Sequence, residues 1–175
     1  MQTPISTLTV DRFRALKHLK IDGLGQVNLI TGRNNTGKSS VLEAIRILAS
    51  NASPSVINNI LRSREEDVGE GDETVRSLEA DGMFMFSTLF NGFPQFSPKL
   101  ESIVIASDGG TRPMRINIKA EWFSEKRAQD GTRKLVPKQG NLIGEEDAIP
   151  ALILEAAGNR RVMPLELMRR YGYRG

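Results

Sequence analysis

An α/β fold with a mixed sheet is what this sequence predicts, on three observations. Short segments of alternating apolar and polar residues lie towards both ends, a glycine-rich loop joins an apolar run to an amphipathic stretch near residue 38, and a long alternating segment follows Gly109-Gly110. The 175 residues suffice for one domain, since chains near this size bury about 68–70% of their unfolded surface. The absence of Cys and the single His, His18, exclude zinc ribbons, thiol redox centres and cysteine nucleophiles. No apolar run approaches the ~20 residues needed to span a bilayer, and Met1-Gln2-Thr3-Pro4 does not open a secretory signal. A soluble, cytoplasmic protein is the expectation.

Residues 5–31 read as two or three short strands. Leu8 and Val10 alternate with polar neighbours, Leu19 and Ile21 do so again, and Val27-Asn28-Leu29-Ile30 is an apolar run of the kind buried on both faces. Asp22-Gly23 and Gly25 supply the reversal between the second and third. From Lys38 the period becomes helical, with Val41, Ala44, Ile45 and Leu48 at i, i+3, i+4 and i+7, and Ser50 to Pro54 stop it. Residues 52–81 are polar and acidic, and read as a surface insertion with at most a helical piece and little of the core. Met83, Phe86, Leu89 and Phe90 suit a helix ending at Asn91-Gly92. Ser102–Ala106 and the alternating Met114–Trp122 make a hairpin about Asp108-Gly109-Gly110. Ala151–Leu154 and Val162–Leu165 make a second about Gly158-Asn159, with Pro164 placing its strand at an edge. The whole is a single domain without internal repeats.

Charge is unevenly spread. Residues 1–50 carry seven basic and three acidic side chains, residues 61–81 three and eight. No Lys/Arg run exceeds two and aromatics are 6%, which does not describe a nucleic-acid interface.

Chemistry is concentrated at Gly32-Arg33-Asn34-Asn35-Thr36-Gly37-Lys38-Ser39, which fits G-x-x-x-x-G-K-[ST] at every fixed position. The glycines let successive N–H groups point at phosphate oxygens, and a helix N-terminus adds its positive dipole at the same spot. Lys38 is placed to reach the β- and γ-phosphates and is the candidate catalytic residue. Ser39 is the candidate Mg²⁺ ligand, and Ser40 an additional phosphate donor. A first-turn lysine is disfavoured by the dipole unless an anion answers it, which argues against a mere strand-to-helix turn.

These residues, with Leu8 to Leu16 before them, resemble the start of an ABC-type ATPase head of the RecF/SMC/OLD-like branch, often labelled AAA-family ATP-binding proteins. The resemblance is specific over about residues 5–50. It implies a P-loop NTPase with an antiparallel lobe, ATP and Mg²⁺ as ligands, and a Phe-Arg pair, here Phe13-Arg14, beside the nucleotide. Phe13 reads equally as core and Arg14 as its exposed neighbour. Gln95 reads as an ordinary loop amide or as the glutamine that touches Mg²⁺ in such heads.

The later motifs of that family are not found. Asp108 ends an apolar strand but reads as a turn residue, Glu155 lacks a preceding Asp, and Ser107–Thr111 precedes no helix. The expectation is therefore the N-terminal part of a longer ATPase, or a shortened one whose other half is a separate chain, hydrolysing ATP weakly alone. An ATP-dependent homodimer or a partner chain would supply the missing groups. The context implied by resemblance is DNA repair or defence against foreign DNA, with DNA as a partner and no membrane. A small P-loop metabolite kinase and a non-catalytic nucleotide-binding regulatory module stand as alternatives.

Overall fold

Alternating residues become strands and the 3.6-residue stripe becomes a helix in a computed structural model, which describes residues 5–63, 83–109, 113–127, 133–138 and 148–165. In chain order the elements are β1 (Thr7–Phe13), β2 (Leu16–Asp22), α1 (Lys38–Ala49), α2 (Pro54–Arg62), β3 (Ile103–Ser107), β4 (Met114–Arg127), β5 (Arg133–Pro137), β6 (Ile149–Ala156) and β7 (Asn159–Pro164). The strands join in the order β2-β1-β3-β4-β6-β7, with β5 paired to β4 beside that path. Every described pairing is antiparallel.

Register follows the apolar alternation. Val10 faces Ile105, Ile105 faces Ile116 and Ile118 faces Leu154, so one face of the sheet carries the core residues. The stripe Val41, Ala44, Ile47 and Leu48 of α1 completes that core from above, each at 5% exposure or less. Val41, Ile47 and Leu48 each contribute about 1.5–3 kcal/mol by leaving water, and Ala44 less. The opposite face is polar, with Lys119, Glu121, Glu155 and Arg160 in cross-strand ion pairs beside a small apolar cluster of Phe123, Ala151 and Ile153. The β6–β7 hairpin closes through Ala157 and Gly158, both with positive φ (49° and 77°), the geometry of a two-residue type I′ turn. Pro164 does lie on an edge strand.

Four expectations are corrected. The mixed sheet is not seen among the described residues, because Val27–Ile30 forms no strand: Val27 and Leu29 are 92% and 88% exposed. Both edges of β1 are taken, by β2 and β3, and residues 27–30 pair with no described strand. Asn28 instead bonds back to Gly25 through both its amide oxygen and nitrogen. Secondly, residues 52–63 do enter the core, through Ala52 and through Ile57, Ile60 and Leu61 of α2; the acidic remainder of the insertion, 64–81, lies outside the described residues. Thirdly, the helix expected to reach Asn91 is helical only over 83–87. Ser87 and Thr88 donate hydroxyl bonds to the carbonyls of Met83 and Met85, and the chain then turns so that Phe90 bridges to Phe13. Finally, β5 pairs along Phe123–Arg127 where only a polar stretch is expected.

Candidate functional site

The loop leaves Ile30, enters α1 at Lys38, and is bent by three left-handed or glycine-only positions. Their φ values are 150° at Gly32, 60° at Asn35 and 94° at Gly37. Gly37 is the N-cap of α1 and offers no side-chain cap, and the first turn contains no acidic residue. The amides at this end are therefore met by no side-chain oxygen of the cap, and they carry the positive end of the helix dipole. Gly37 is also a matter of space. A Cβ there would sit 2.9 Å from the Leu16 side chain and 3.5 Å from Ala15, so the tip of the β1–β2 hairpin forms the back wall of the loop.

Lys38 reaches back across the loop. Its ammonium donates to the carbonyls of Gly32 (2.7 Å) and Arg33 (2.5 Å), and the Thr36 hydroxyl donates to the Arg33 carbonyl at 2.9 Å. The cation is thereby held in the curve of the loop and next to the helix amides. Arg33, Asn34, Asn35, Thr36 and Ser39 are exposed around it. Thus Gly32, Arg33, Asn34, Asn35, Thr36, Gly37, Lys38 and Ser39 are brought together in one concave stretch.

Two residues expected beside the ligand are placed elsewhere. Ser40 is 2% exposed, because 40, 44 and 47 share the face of α1 turned to the core. Arg14 is 3% exposed, with its Nε 2.7 Å from a Glu43 carboxylate oxygen and a terminal nitrogen donating to the Ile60 carbonyl at 3.2 Å. Burial of a guanidinium demands such partners, and Glu43 on α1 supplies the charge. Phe13 is fully buried and belongs to the core. Gln95 lies exposed in the segment after Gly92.

Of the two residues that mimic later motifs, Asp108 is held through its backbone and Glu155 through its carboxylate. Asp108 turns the chain beside β1: its carbonyl accepts from the amides of Ser6 and Thr7, and its amide donates to the Thr7 hydroxyl. Glu155 is held below the usual glutamate range, first by the hydrogen bond from Lys119, with Asn117, Lys119 and Arg160 adding to the effect and partial burial opposing it. Among the described residues no group of three or more His, Asp or Glu could hold a metal ion. No described helix is long and apolar enough to cross a membrane.

Sequence reading misses the back wall. It passes over Ala15 and Leu16, and over Glu43, although a lone Glu inside the stripe of Val41, Ala44 and Ile47 is a signal of a buried partner. It also misses a groove of about 1010 Å³ between residues 23–31 and α1, lined by Leu24, Val27, Leu29, Ile30, Leu42 and Ile45 among others.

Residues 4–108 match the AAA ATPase domain family. An uncharacterized protein of Methanocaldococcus jannaschii is 45% identical over 49 residues, 28% of this chain and 22% of its own length. An ATP/GTP phosphatase of Helicobacter pylori is 46% identical over 44 residues, 25% of this chain and 12% of its own length. The DNA replication and repair protein RecF of Acinetobacter baylyi is 41% identical over 49 residues, 28% and 14% respectively. The chain thus spans less than a quarter of the length of these relatives. With more than half of its residues covered by the family pattern, this chain belongs to the AAA ATPase domain family of P-loop NTPases.

Proposed function

We infer that the chain binds Mg-ATP through Gly32–Ser39 as the nucleotide-binding segment of a RecF-like ATPase. The observation that carries this reading is the uncapped N-terminus of α1 behind Gly37, with the Lys38 ammonium folded across the same concavity. Backbone amides and an ammonium converging on one point are a donor set for polyphosphate oxygens. The exchange is simple: phosphate oxygens replace the Gly32 and Arg33 carbonyls as acceptors from Lys38, and α1's first amides gain charge-assisted bonds. Arg33, Asn34, Asn35 and Thr36 line the exposed side and orient the chain of phosphates. The exposed Ser39 hydroxyl would hold Mg²⁺ together with the phosphates. The ion supplies neutralisation of the charge between the β- and γ-phosphates.

In this reading Lys38 is the one described catalytic residue, acting by stabilising charge on the transferred phosphoryl group. Since Glu155 is held in an ion pair and Asp108 sits exposed beyond the end of β3 with no helix after it, we assign water activation to groups of a second segment or a partner chain, brought in by ATP-dependent dimerisation. The name of the RecF relative supports a role on DNA, in repair, for the whole assembly. A non-catalytic nucleotide-binding module is the second reading, favoured by the ion-paired Glu155. Equilibrium titration with Mg-ATP tests binding, and light scattering with and without nucleotide tests association. Micromolar or tighter binding with a doubling of mass supports the head; binding with no change of mass supports the module; no binding overturns both.

A further inference from the structure

We propose that Arg14 and Glu43 are positioning residues that set the phosphate loop in its binding shape; the inference rests on the nucleotide-binding reading above. The Arg14 guanidinium joins three pieces of the protein. Its own backbone forms the tip of the β1–β2 hairpin, its Nε pairs with Glu43 of the loop-bearing helix at 2.7 Å, and a terminal nitrogen takes the Ile60 carbonyl near the C-terminus of α2. That carbonyl is among the last four of α2, at its negative end, and it also accepts from the Ser63 hydroxyl at 3.0 Å.

The tip itself is held from outside. The Arg14 amide donates to the Leu89 carbonyl at 2.8 Å, the Asn91 side chain donates to the Arg14 carbonyl at 2.7 Å, and the backbone keeps the left-handed φ of 50° that non-glycine residues avoid. A strained backbone persists where its surroundings over-determine it. The next two residues, Ala15 and Leu16, are those that stand against Gly37. The buried pair therefore fixes the distance between the back wall and the helix whose first turn carries Lys38 and Ser39. Apolar side chains of similar volume would fill the space without fixing that distance, because dispersion is not directional whereas a guanidinium-carboxylate contact is. A loop that visits its binding shape only part of the time binds more weakly by that fraction.

The test uses the full chain with the pair replaced together, Arg14→Met with Glu43→Leu, since removing one partner alone strands a buried charge and risks unfolding. Amide exchange is followed over residues 37–42 and over β4–β6 in nucleotide-free protein, and Mg-ATP affinity is measured alongside. The expected result is a folded protein with unchanged protection in β4–β6, exchange at 37–42 accelerated about tenfold, and affinity reduced about tenfold. Arg14→Lys, which keeps the charge but reaches fewer partners, should fall between. Wild-type exchange at 37–42 in the double variant overturns the proposal, and uniform acceleration in both regions overturns it too, because the pair would then be a general stabiliser. Failure of the wild-type protein to bind Mg-ATP would defeat the nucleotide reading alone, as the exchange comparison decides the positioning role without ligand.

Discussion

Ile118 and Leu154 face each other across β4 and β6 and are fully buried, whereas Val27 and Leu29, side chains of the same kind, stand 92% and 88% exposed. Both segments have strand-forming residues. Only the first has a ladder on each side: β4 lies between β3 and β6, and β6 between β4 and β7, while residues 27–30 pair with no described strand. Side-chain hydrophobicity proposes a strand, and backbone pairing decides it. The two regions consequently divide the work. The sheet supplies rigidity through paired backbone and a packed face, and residues 23–40 supply unpaired donors and a cation that a ligand could use.

That division can be broken experimentally. Leu154→Ala should destabilise the protein most, by about 2–5 kcal/mol in denaturant titrations, because the residue is fully buried in the ladder; its folded fraction should keep wild-type nucleotide affinity. Loss of affinity without loss of stability would show that sheet and loop are not separable. Lys38→Ala should do the reverse, weakening Mg-ATP binding on the order of 100-fold, about 2.7 kcal/mol, with little change in melting temperature. Gly37→Ala places a Cβ 2.9 Å from Leu16 at a φ of 94°, and should cost about 1–2 kcal/mol of stability and some affinity besides. Gly158→Ala, at a φ of 77° with open space around it, should cost about 1 kcal/mol and leave affinity alone. A larger effect at Gly158 than at Gly37 would refute the back wall.

The smallest effect concerns pH. The folded-state carboxyl of Glu155 lies below its ordinary range because Lys119 hydrogen-bonds it, so its contribution is present above that range and is lost as pH falls through the folded value. Wild type and Glu155→Gln should therefore differ in melting temperature near neutral pH and converge in acid, and a constant difference would show that the ion pair across β4 and β6 is not the cause.

Much of this architecture was legible in the residues. The Met114–Trp122 alternation and the turn expected about Gly158-Asn159, one residue from the observed Ala157-Gly158, announce hairpins because their determinants are local, and the loop announces itself because Gly32, Gly37, Lys38 and Ser39 are fixed by one short stretch of geometry. What was not legible depends on distant partners. Arg14 reads as an exposed strand residue until Glu43 and Ile60 are seen beside it. Ser40 reads as a phosphate donor until the rotation of α1 turns it inward. The apolar run at 27–30 reads as a buried strand because its sequence carries no record of whether a partner strand lies beside it.

The pairing of β1 with β3 has a consequence for the order of folding. Val10 meets Ile105 across about 95 residues of chain, whereas β1–β2 and β6–β7 close over turns of two residues. Contact-order reasoning makes the short hairpins early events and the long closure a late one. The tip that backs Gly37 can thus exist before the sheet behind it is complete. A ligand that favours the finished loop would act as a latch on that last closure, raising the unfolding midpoint with its concentration.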